Sequence, residues 1–281
     1  MTEGTEFAGL SDRIITIINS YILAQENGRA LHVYHDKGFQ LEKYLEPNKV
    51  DWRIHPSEIS WGLNRVSFLW FDQFSHILKD ERKEYHAYAL YPDPSTHFIP
   101  ELRSKYPVSR VFKTLFIPSK HLQSLVQDAM LQAGIEENNF LVFHLRFLNF
   151  FEPVEANITE KDITGTPEQQ NQMLKDVHLT IDKIYRQSGC RHVLLMSDSN
   201  RFLQAPHPEY IKTLPGSVGH IGCHNDDLIT DKAFTDFFVI SKARQVYSII
   251  GPNIYGGRFA RTAAAISGKM LIEVPYIHAQ A

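Results

Sequence analysis

The feature that most constrains this chain is the regular alternation of apolar runs and helical patterns between residues 140 and 274. The apolar runs, at 140–147, 192–197, 245–250 and 270–274, read as strands. Helical periodicity falls between them, at 167–187, 231–243 and 256–267. Continuous apolar strands that alternate with helices are typical of a parallel sheet covered on both faces. The sequence therefore predicts an α/β fold.

The first half of the chain has a weaker pattern. It predicts a helix at 11–27 with Ser11 as N-cap and Gly28 as stop, a strand at 31–35, and helices at 41–45 and 118–134. A polar break at 134–139 separates this half from the regular one, so we expect domains at 1–136 and 137–281. The aromatic residues between 50 and 107 include Trp52, Trp61, Trp70, Phe71 and Phe74. Core packing accounts for most of them, and a surface platform for stacking sugars would account for one.

Composition and charge exclude several classes of protein. The 281 residues have a formal net charge of -3, so no general positive field attracts nucleic acid. The N-terminus lacks the positive region of a signal peptide, and no apolar run approaches the about 20 residues that span a membrane. We therefore expect a cytoplasmic protein with no integral membrane segment and no nucleic-acid partner. Cys190 and Cys223 are expected to be reduced thiols, with one internal bridge as the alternative, and the sequon at Asn157 is expected to be unused.

Polar residues follow two of the predicted strands directly. His144 and Arg146 end the first strand, where alternation places them on one face. Ser197, Asp198 and Ser199 end the second. Because ligands of open parallel sheets bind at the carboxyl ends of the strands, these side chains are candidate ligand contacts. The alternatives are a buried core histidine with a surface arginine, and ordinary capping of the next helix.

The third strand leads into a glycine pair that opens a helix. Gly256 and Gly257 leave backbone N–H groups accessible, and Arg258 and Arg261 add positive charge one turn apart. Basic residues in a first helical turn oppose the helix dipole, and an anionic ligand would offset that conflict. On the preceding helix, Asp236 lies in an apolar run and requires a partner, which is either the donor edge of a guanine or an arginine of the fold.

Signatures of other catalytic classes are missing from the sequence. It contains no phosphate-binding loop of the Gly-x-x-x-x-Gly-Lys type, no His-Glu-x-x-His and no Gly-x-Ser-x-Gly. His220, Cys223 and His224 lack a second pair of ligands and are read as loop residues, and Asp226-Asp227 is not a spaced metal-binding motif. The sequence therefore predicts neither a metal nor another cofactor.

Four ordered blocks resemble the fucosyltransferase superfamily, which includes the bacterial nodulation enzyme and the α1,6-, α1,2- and protein O-fucosyltransferases. The blocks are Gly9-Leu-Ser-Asp-Arg13, His144-Leu-Arg146, Ser197-Asp-Ser199, and Asp236 to Ala243 leading to Gly256-Gly-Arg-Phe-Ala-Arg-Thr-Ala263. The match covers the second domain and the first helix, and His-x-Arg is its most diagnostic element.

The resemblance implies a glycosyltransferase of the two-lobed type B, with two Rossmann-like lobes containing parallel sheets. It implies GDP-fucose as donor and inversion at the anomeric carbon without a metal. Arg146 would neutralise the β-phosphate of the leaving GDP, and His144 and Asp236 would hold guanine or ribose. The matched blocks also assign Gly9, Arg13, Ser197, Asp198, Ser199, Gly256, Gly257, Arg258 and Phe259 to donor binding. The base candidates are Glu152 or Glu155, then Asp12.

The leading hypothesis is fucosyl transfer from GDP-fucose to a glycan acceptor, in polysaccharide biosynthesis. A second hypothesis keeps the fold and uses another nucleotide sugar. A third is a non-catalytic protein that binds a nucleotide or a glycan. It is favoured by the apolar segment 147–151, which stands where the family often has an acidic residue shortly after His-x-Arg.

Overall fold

The computed structural model describes residues 9–35, 38–70, 83–88, 100–153, 159–219, 221 and 226–278. The chain divides into two compact units, Ala8–His121 and a second that contains Leu122–Ala281. The predicted boundary, after residue 136, differs from this division in the assignment of the helix Lys120–Ala133, which lies almost entirely in the second unit.

The first unit combines helices with short strands. Its elements are α1 (Leu10–Glu26), β1 (Leu45–Pro47), β2 (Val66–Trp70), β3 (Glu84–Tyr88), α2 (Pro100–Lys105), α3 (Val108–Leu115) and β4 (Phe116–Pro118). β1 pairs with β4 in antiparallel orientation, and β2 pairs with β3 in parallel orientation. The described part of this unit therefore contains one parallel strand pair and no larger parallel sheet.

Local predictions in the first unit need three corrections. Ser11 is not the N-cap of α1, because the helix begins one residue earlier with Gly9 as its cap and Ser11 is buried inside it. The expected strand at 31–35 is reduced to a bridge between Val33 and Arg53. The expected helix at 41–45 is a single 3-10 turn that gives way to β1, because Leu45 pairs with Pro118, a partner far away in sequence.

The tryptophans of the first unit have different environments. Trp52 is fully buried against Phe116, and its indole Nε1 donates to the carbonyl oxygen of Leu115 at 2.9 Å. Trp61 is 56% exposed and contacts the ring of His86. Packing therefore explains Trp52 and leaves Trp61 on the surface. Phe71, Phe74 and the side chain of Trp70 lie outside the described residues.

The second unit contains the predicted parallel sheet. Its elements are α4 (Lys120–Ala133), β5 (Phe140–Leu145), α5 (Pro167–Ser188), β6 (His192–Ser197), α6 (Asn200–Gln204), β7 (Ile211–Lys212), α7 (Asp227–Lys242), β8 (Gln245–Ile250), α8 (Arg258–Ile266) and β9 (Leu271–Pro275). The strand order is β7-β6-β5-β8-β9, and every neighbouring pair is parallel. The α/β prediction is confirmed.

Helices cover both faces of this sheet. Leu141, Phe143 and Leu145 of β5 share a buried cluster with Val177 and Ile181 of α5. His144 points to the opposite face, where its ring stacks on Phe259 of α8 with the ring centroids 6.1 Å apart. Because both faces are buried, β5 is apolar along almost its whole length, and its next-to-last residue is a histidine directed at α8.

Capping residues set the ends of the helices. Thr166 accepts from the N–H of Gln169 and begins α5, and Gly189 ends it with a φ of 67°. α7 begins at Asp227, four residues earlier than predicted, because the Asp226 side chain accepts from the N–H of Leu228 at 2.8 Å. Such caps satisfy N–H groups that have no partner inside the helix.

Candidate functional site

The sheet order defines where a ligand would bind. The chain proceeds from β5 to β6 and β7 on one side, and then returns to add β8 and β9 on the other. The order therefore reverses between β5 and β8. In open α/β sheets, ligands bind in the crevice at the carboxyl ends of the strands where the order reverses. His144, next to last in β5, lies at that end.

His144, Arg146 and Gly257 lie together at this position. A β-carbon on Gly257 would lie 3.5 Å from Cε1 of His144 and 3.7 Å from Cδ of Arg146. The N–H of Tyr255 donates to the carbonyl oxygen of Arg146 at 2.8 Å, which joins the end of β5 to the glycine loop. The structure thus brings the His-x-Arg block and the glycine pair into contact range.

The N-terminus of α8 differs from those of three other helices in this unit. Thr166, Ser199 and Asp226 place a side-chain acceptor on the first turns of α5, α6 and α7. α8 begins after Gly257, which has no side chain to make a cap and an extended backbone with a φ of -125°. Gly257 therefore supplies no side-chain cap to the first turn, and exposed Arg258 follows directly. This arrangement suits an anion.

Arg261 does not add free positive charge to this helix end. Its guanidinium is paired with the carboxylate of Glu273 on β9, at 2.5 Å. By contrast, Arg146 is exposed, and none of the ion pairs between described residues includes it. Arg146 is therefore a cation positioned beside Gly257 whose fork of donors is available for an anionic ligand.

His144 is electrically neutral at physiological pH. Burial, and to a smaller extent the charge of Arg146, lower the pKa of its imidazole from 6.5 to about 4. Only 7% of the residue is exposed. A neutral imidazole has one N–H donor and one acceptor, so His144 can contribute a directional hydrogen bond to a ligand but no charge.

Asp198 holds the segment that follows Arg146. Its two carboxylate oxygens accept from the N–H groups of Phe147 and Leu148 at 2.8 and 3.0 Å. Leu148 has a φ of 56°, an unusual conformation for leucine. Burial raises the pKa of Asp198, opposed by these two N–H groups and by Arg146. The contacts of Asp198 therefore fix the backbone beside Arg146.

The serines around Asp198 have structural contacts of their own. The Ser197 hydroxyl accepts from the N–H of Ser199, and the Ser199 hydroxyl accepts from the N–H of Phe202 at the start of α6. The capping interpretation therefore describes their observed contacts. Direct contact of Ser197, Asp198 or Ser199 with a nucleotide stays a prediction.

Glu152, a candidate base, is held at the start of α6. Its Oε1 accepts from the Ser199 hydroxyl at 2.9 Å and from the N–H of Arg201 at 3.0 Å. Carboxylates at helix N-termini are stabilised by these N–H groups and by the dipole. The observed contacts give Glu152 a capping role. Glu155, the other candidate from this segment, lies outside the described residues, as does Asn157.

Asp236 is paired with a lysine of its own helix and not with an arginine. Both carboxylate oxygens accept from Nζ of Lys232, at 2.5 and 2.6 Å, and each side chain is 8% exposed. Burial raises the pKa of Asp236, and Lys232 opposes that rise. The spacing of four residues could have identified this partner from the sequence. A role for Asp236 in holding guanine stays a prediction.

The residues of the first block belong to the first unit. Gly9 is the N-cap of α1, and Asp12 lies in the first turn. Nη1 of Arg13 lies 2.7 Å from Nε2 of His35, and the guanidinium lies over the ring of Phe39. Their roles in donor binding or base catalysis stay predictions.

Two kinds of feature are absent from the described ranges of the chain. No group of three or more histidine, cysteine or acidic side chains there is placed to hold a metal ion. No helix of the described chain has both the length and the apolar character that a membrane crossing requires. His220, Cys223 and His224 lie outside the described residues, while Cys190 is buried with a free thiol.

The sheet, its reversed strand order and the glycine-capped helix define an α/β protein with a candidate anion site at the end of β5. Solved fucosyltransferases share the fold. Arabidopsis thaliana FUT1, as a mutant in complex with GDP, has a TM-score of 0.58 and 11% identity, over 95% of this chain and 68% of that one. NodZ α-1,6-fucosyltransferase soaked with GDP-fucose has a TM-score of 0.57 and 12% identity, over 92% and 89%.

NodZ from Bradyrhizobium is similar at a TM-score of 0.58 and 12% identity, over 91% of this chain and 88% of that one. No protein-family model matches the sequence, and no curated protein matches it. The relationship to fucosyltransferases that the four sequence blocks indicate is confirmed at the level of the fold.

Proposed function

We propose that this protein is an inverting, metal-independent glycosyltransferase that transfers fucose from GDP-fucose to a glycan acceptor. The proposal includes the two-lobed type B architecture, with the donor bound by the second unit and the acceptor by the first. It also includes a cytoplasmic location, a part in polysaccharide biosynthesis and the absence of a nucleic-acid partner. The free thiol of Cys190 is consistent with a reducing compartment.

The observation that carries the proposal is the meeting of His144, Arg146 and Gly257 at the glycine-capped start of α8. A diphosphate placed there would receive a guanidinium from one strand end and backbone N–H groups from the helix. Solved structures of the same fold contain GDP or were soaked with GDP-fucose.

The chemistry assigned to these groups follows from where charge develops. When the bond between sugar and diphosphate breaks, negative charge accumulates on the leaving diphosphate. Arg146 and the N–H groups of α8 stabilise that charge more strongly in the transition state than in the ground state. His144, being neutral, adds a directional hydrogen bond without a competing charge, and Asp198 keeps the segment after Arg146 in place.

An inverting transfer also requires a base for the proton of the acceptor hydroxyl. Glu152, Glu155 and Asp12 are the candidates. Glu152 would have to exchange its contact with Ser199 for one with the acceptor. This observation favours the non-catalytic alternative, a protein that binds a nucleotide or a glycan and transfers nothing.

Calorimetry with GDP, UDP and ADP tests the donor site. We expect GDP to bind most tightly, and equal affinities would remove the case for a guanosine donor. Arg146→Ala should weaken GDP binding by about 10- to 150-fold, since a hydrogen bond to a charged group contributes about 1.5–3 kcal/mol. Arg186→Ala is the matched control, because Arg186 is an exposed arginine paired with Asp182 on α5.

Transfer activity separates the three hypotheses. Product formation from GDP-fucose with a panel of glycans is the expected result. Turnover with a different nucleotide sugar alone would favour the second hypothesis. Tight GDP binding without transfer or hydrolysis of any donor would favour the non-catalytic one.

A further inference from the structure

Two enclosed polar atoms lie on neighbouring strands at the carboxyl end of the sheet. Nδ1 of His144 and Oγ of Ser248 are both buried, and neither has a hydrogen-bond partner within the described chain. Ser248 is 1% exposed. Buried polar atoms in native proteins are nearly always hydrogen-bonded, to protein groups or to ordered water.

The strand register places these two residues side by side. His144 of β5 pairs with Ser248 of β8, so their side chains leave the same face of the sheet. Neighbouring strands are separated by about 4.8 Å, so the two side chains are neighbours on that face. A water molecule commonly bridges polar groups that are close but not directly bonded. No direct bond between the two side chains occurs in the structure.

The two nitrogens of His144 are not equivalent. Nδ1 is enclosed without a hydrogen-bond partner, whereas Nε2 is not among the atoms of the described chain that are both enclosed and unbonded. The ring is neutral and therefore has one N–H. Phosphate oxygens only accept hydrogen bonds, so an anion beside Gly257 needs the proton on Nε2. Nδ1 must then act as an acceptor, and it requires a donor from the enclosed side.

We propose that Ser248 is a positioning residue that acts on His144 through one buried water molecule. The water donates to Nδ1 of His144 and is held by the hydroxyl of Ser248. This arrangement keeps the proton of His144 on Nε2 and fixes the orientation of the ring against Phe259. The inference rests on the proposed function for its consequence, the binding of a nucleoside diphosphate, but the water and the tautomer are properties of the free protein.

The spectroscopic test uses the free protein labelled with 15N-histidine at pH 7.5. Wild type should show His144 protonated on Nε2, with the Nδ1 resonance displaced as for a nitrogen that accepts a hydrogen bond. In Ser248→Ala the Nδ1 resonance should move toward the position of an unbonded nitrogen. Ser248→Thr retains the hydroxyl and should restore the wild-type resonance. Ser241→Ala is the control, because it removes a hydroxyl that bonds to Phe238 on α7.

The affinity for GDP gives the functional consequence. Its Kd should rise by about three- to tenfold in Ser248→Ala, the loss expected for one neutral hydrogen bond in a network. A proton on Nδ1 in wild type, or an Nδ1 resonance that Ser248→Ala leaves unchanged, overturns the proposal. If wild type shows the expected resonances and does not bind GDP, the proposed function fails and the positioning role stands.

A crystal structure of the free wild-type protein gives a second measurement. It requires no substitution, so its result does not depend on whether a variant folds. Electron density for a water within hydrogen-bond distance of both Nδ1 of His144 and Oγ of Ser248 is expected. A dry contact at this position, or a water bonded to only one of them, contradicts the inference.

Discussion

Acidification should destabilise this protein through His144, and a variant at that position can isolate the effect. The imidazole has a pKa of about 4 in the folded chain, against 6.5 when it is exposed to water. Between these values the unfolded chain binds a proton that the folded chain does not. The free energy of unfolding therefore falls as the pH is lowered through this window and is fully retained above it.

The magnitude follows from the two pKa values. At pH 7.5 the histidine is almost entirely neutral in both states and contributes nearly nothing. At pH 5 it is protonated in the unfolded chain and still neutral in the folded one, which costs about 2 kcal/mol of stability. Because the residue is 7% exposed, solvent screening reduces this value little.

Urea unfolding at pH 7.5 and pH 5, in wild type and in His144→Gln, measures this effect. The difference in stability between the two pH values should be about 2 kcal/mol smaller in the variant. His178, whose pKa burial also lowers to about 4, and the buried carboxyls Asp198 and Asp236 are present in both proteins, so their contributions cancel. An equal loss of stability in both proteins would show that His144 is not buried in its neutral form.

Three further substitutions test separate contacts. Gly257→Ala should leave the melting temperature unchanged, because the added β-carbon meets only ordinary van der Waals contacts. It should nevertheless weaken GDP binding, measured by calorimetry, by at least about tenfold. An unchanged affinity would place the diphosphate elsewhere. Asp198→Asn sets an amide NH₂ against one of the N–H groups of Phe147 and Leu148. The free energy of unfolding, measured with urea, should fall by about 1–3 kcal/mol. An unchanged free energy of unfolding would contradict the two hydrogen bonds. Lys232→Met leaves the carboxylate of Asp236 buried without its partner, and should lower the free energy of unfolding by about 3–5 kcal/mol at pH 7.5. The double variant Lys232→Met/Asp236→Leu should have nearly the stability of wild type. Equal losses of stability in the two variants would argue against the ion pair.

The second unit could be read from the sequence because its elements are determined locally. β6 and β8 have the predicted bounds, and β5 and α5 differ from theirs by one or two residues at one end. Continuous apolar runs of six to eight residues that alternate with helical patterns are typical of buried parallel strands. The short strands of the first unit were missed because their partners are distant: Leu45 pairs with Pro118, and Val66 pairs with Glu84.

The candidate site was predictable in its position and less so in its contacts. Alternation placed His144 and Arg146 on one face, and their contact range with Gly257 follows from the strand order. The capping contacts of Glu152 depend on a fold of the chain that no local pattern specifies. The same holds for the contact between Tyr255 and Arg146, which has no recognisable sequence motif.

The central place of β5 in the sheet has a consequence for hydrogen–deuterium exchange. β5 is flanked by β6 and β8, so its amides are paired within the sheet and should exchange only when the whole unit opens. The glycine loop beside it, at 251–257, is mostly exposed and joined to the sheet by few backbone bonds. A bound nucleotide would therefore slow exchange mainly in that loop and in the first turn of α8. The strand that supplies His144 and leads into Arg146 would already be as protected as it can become.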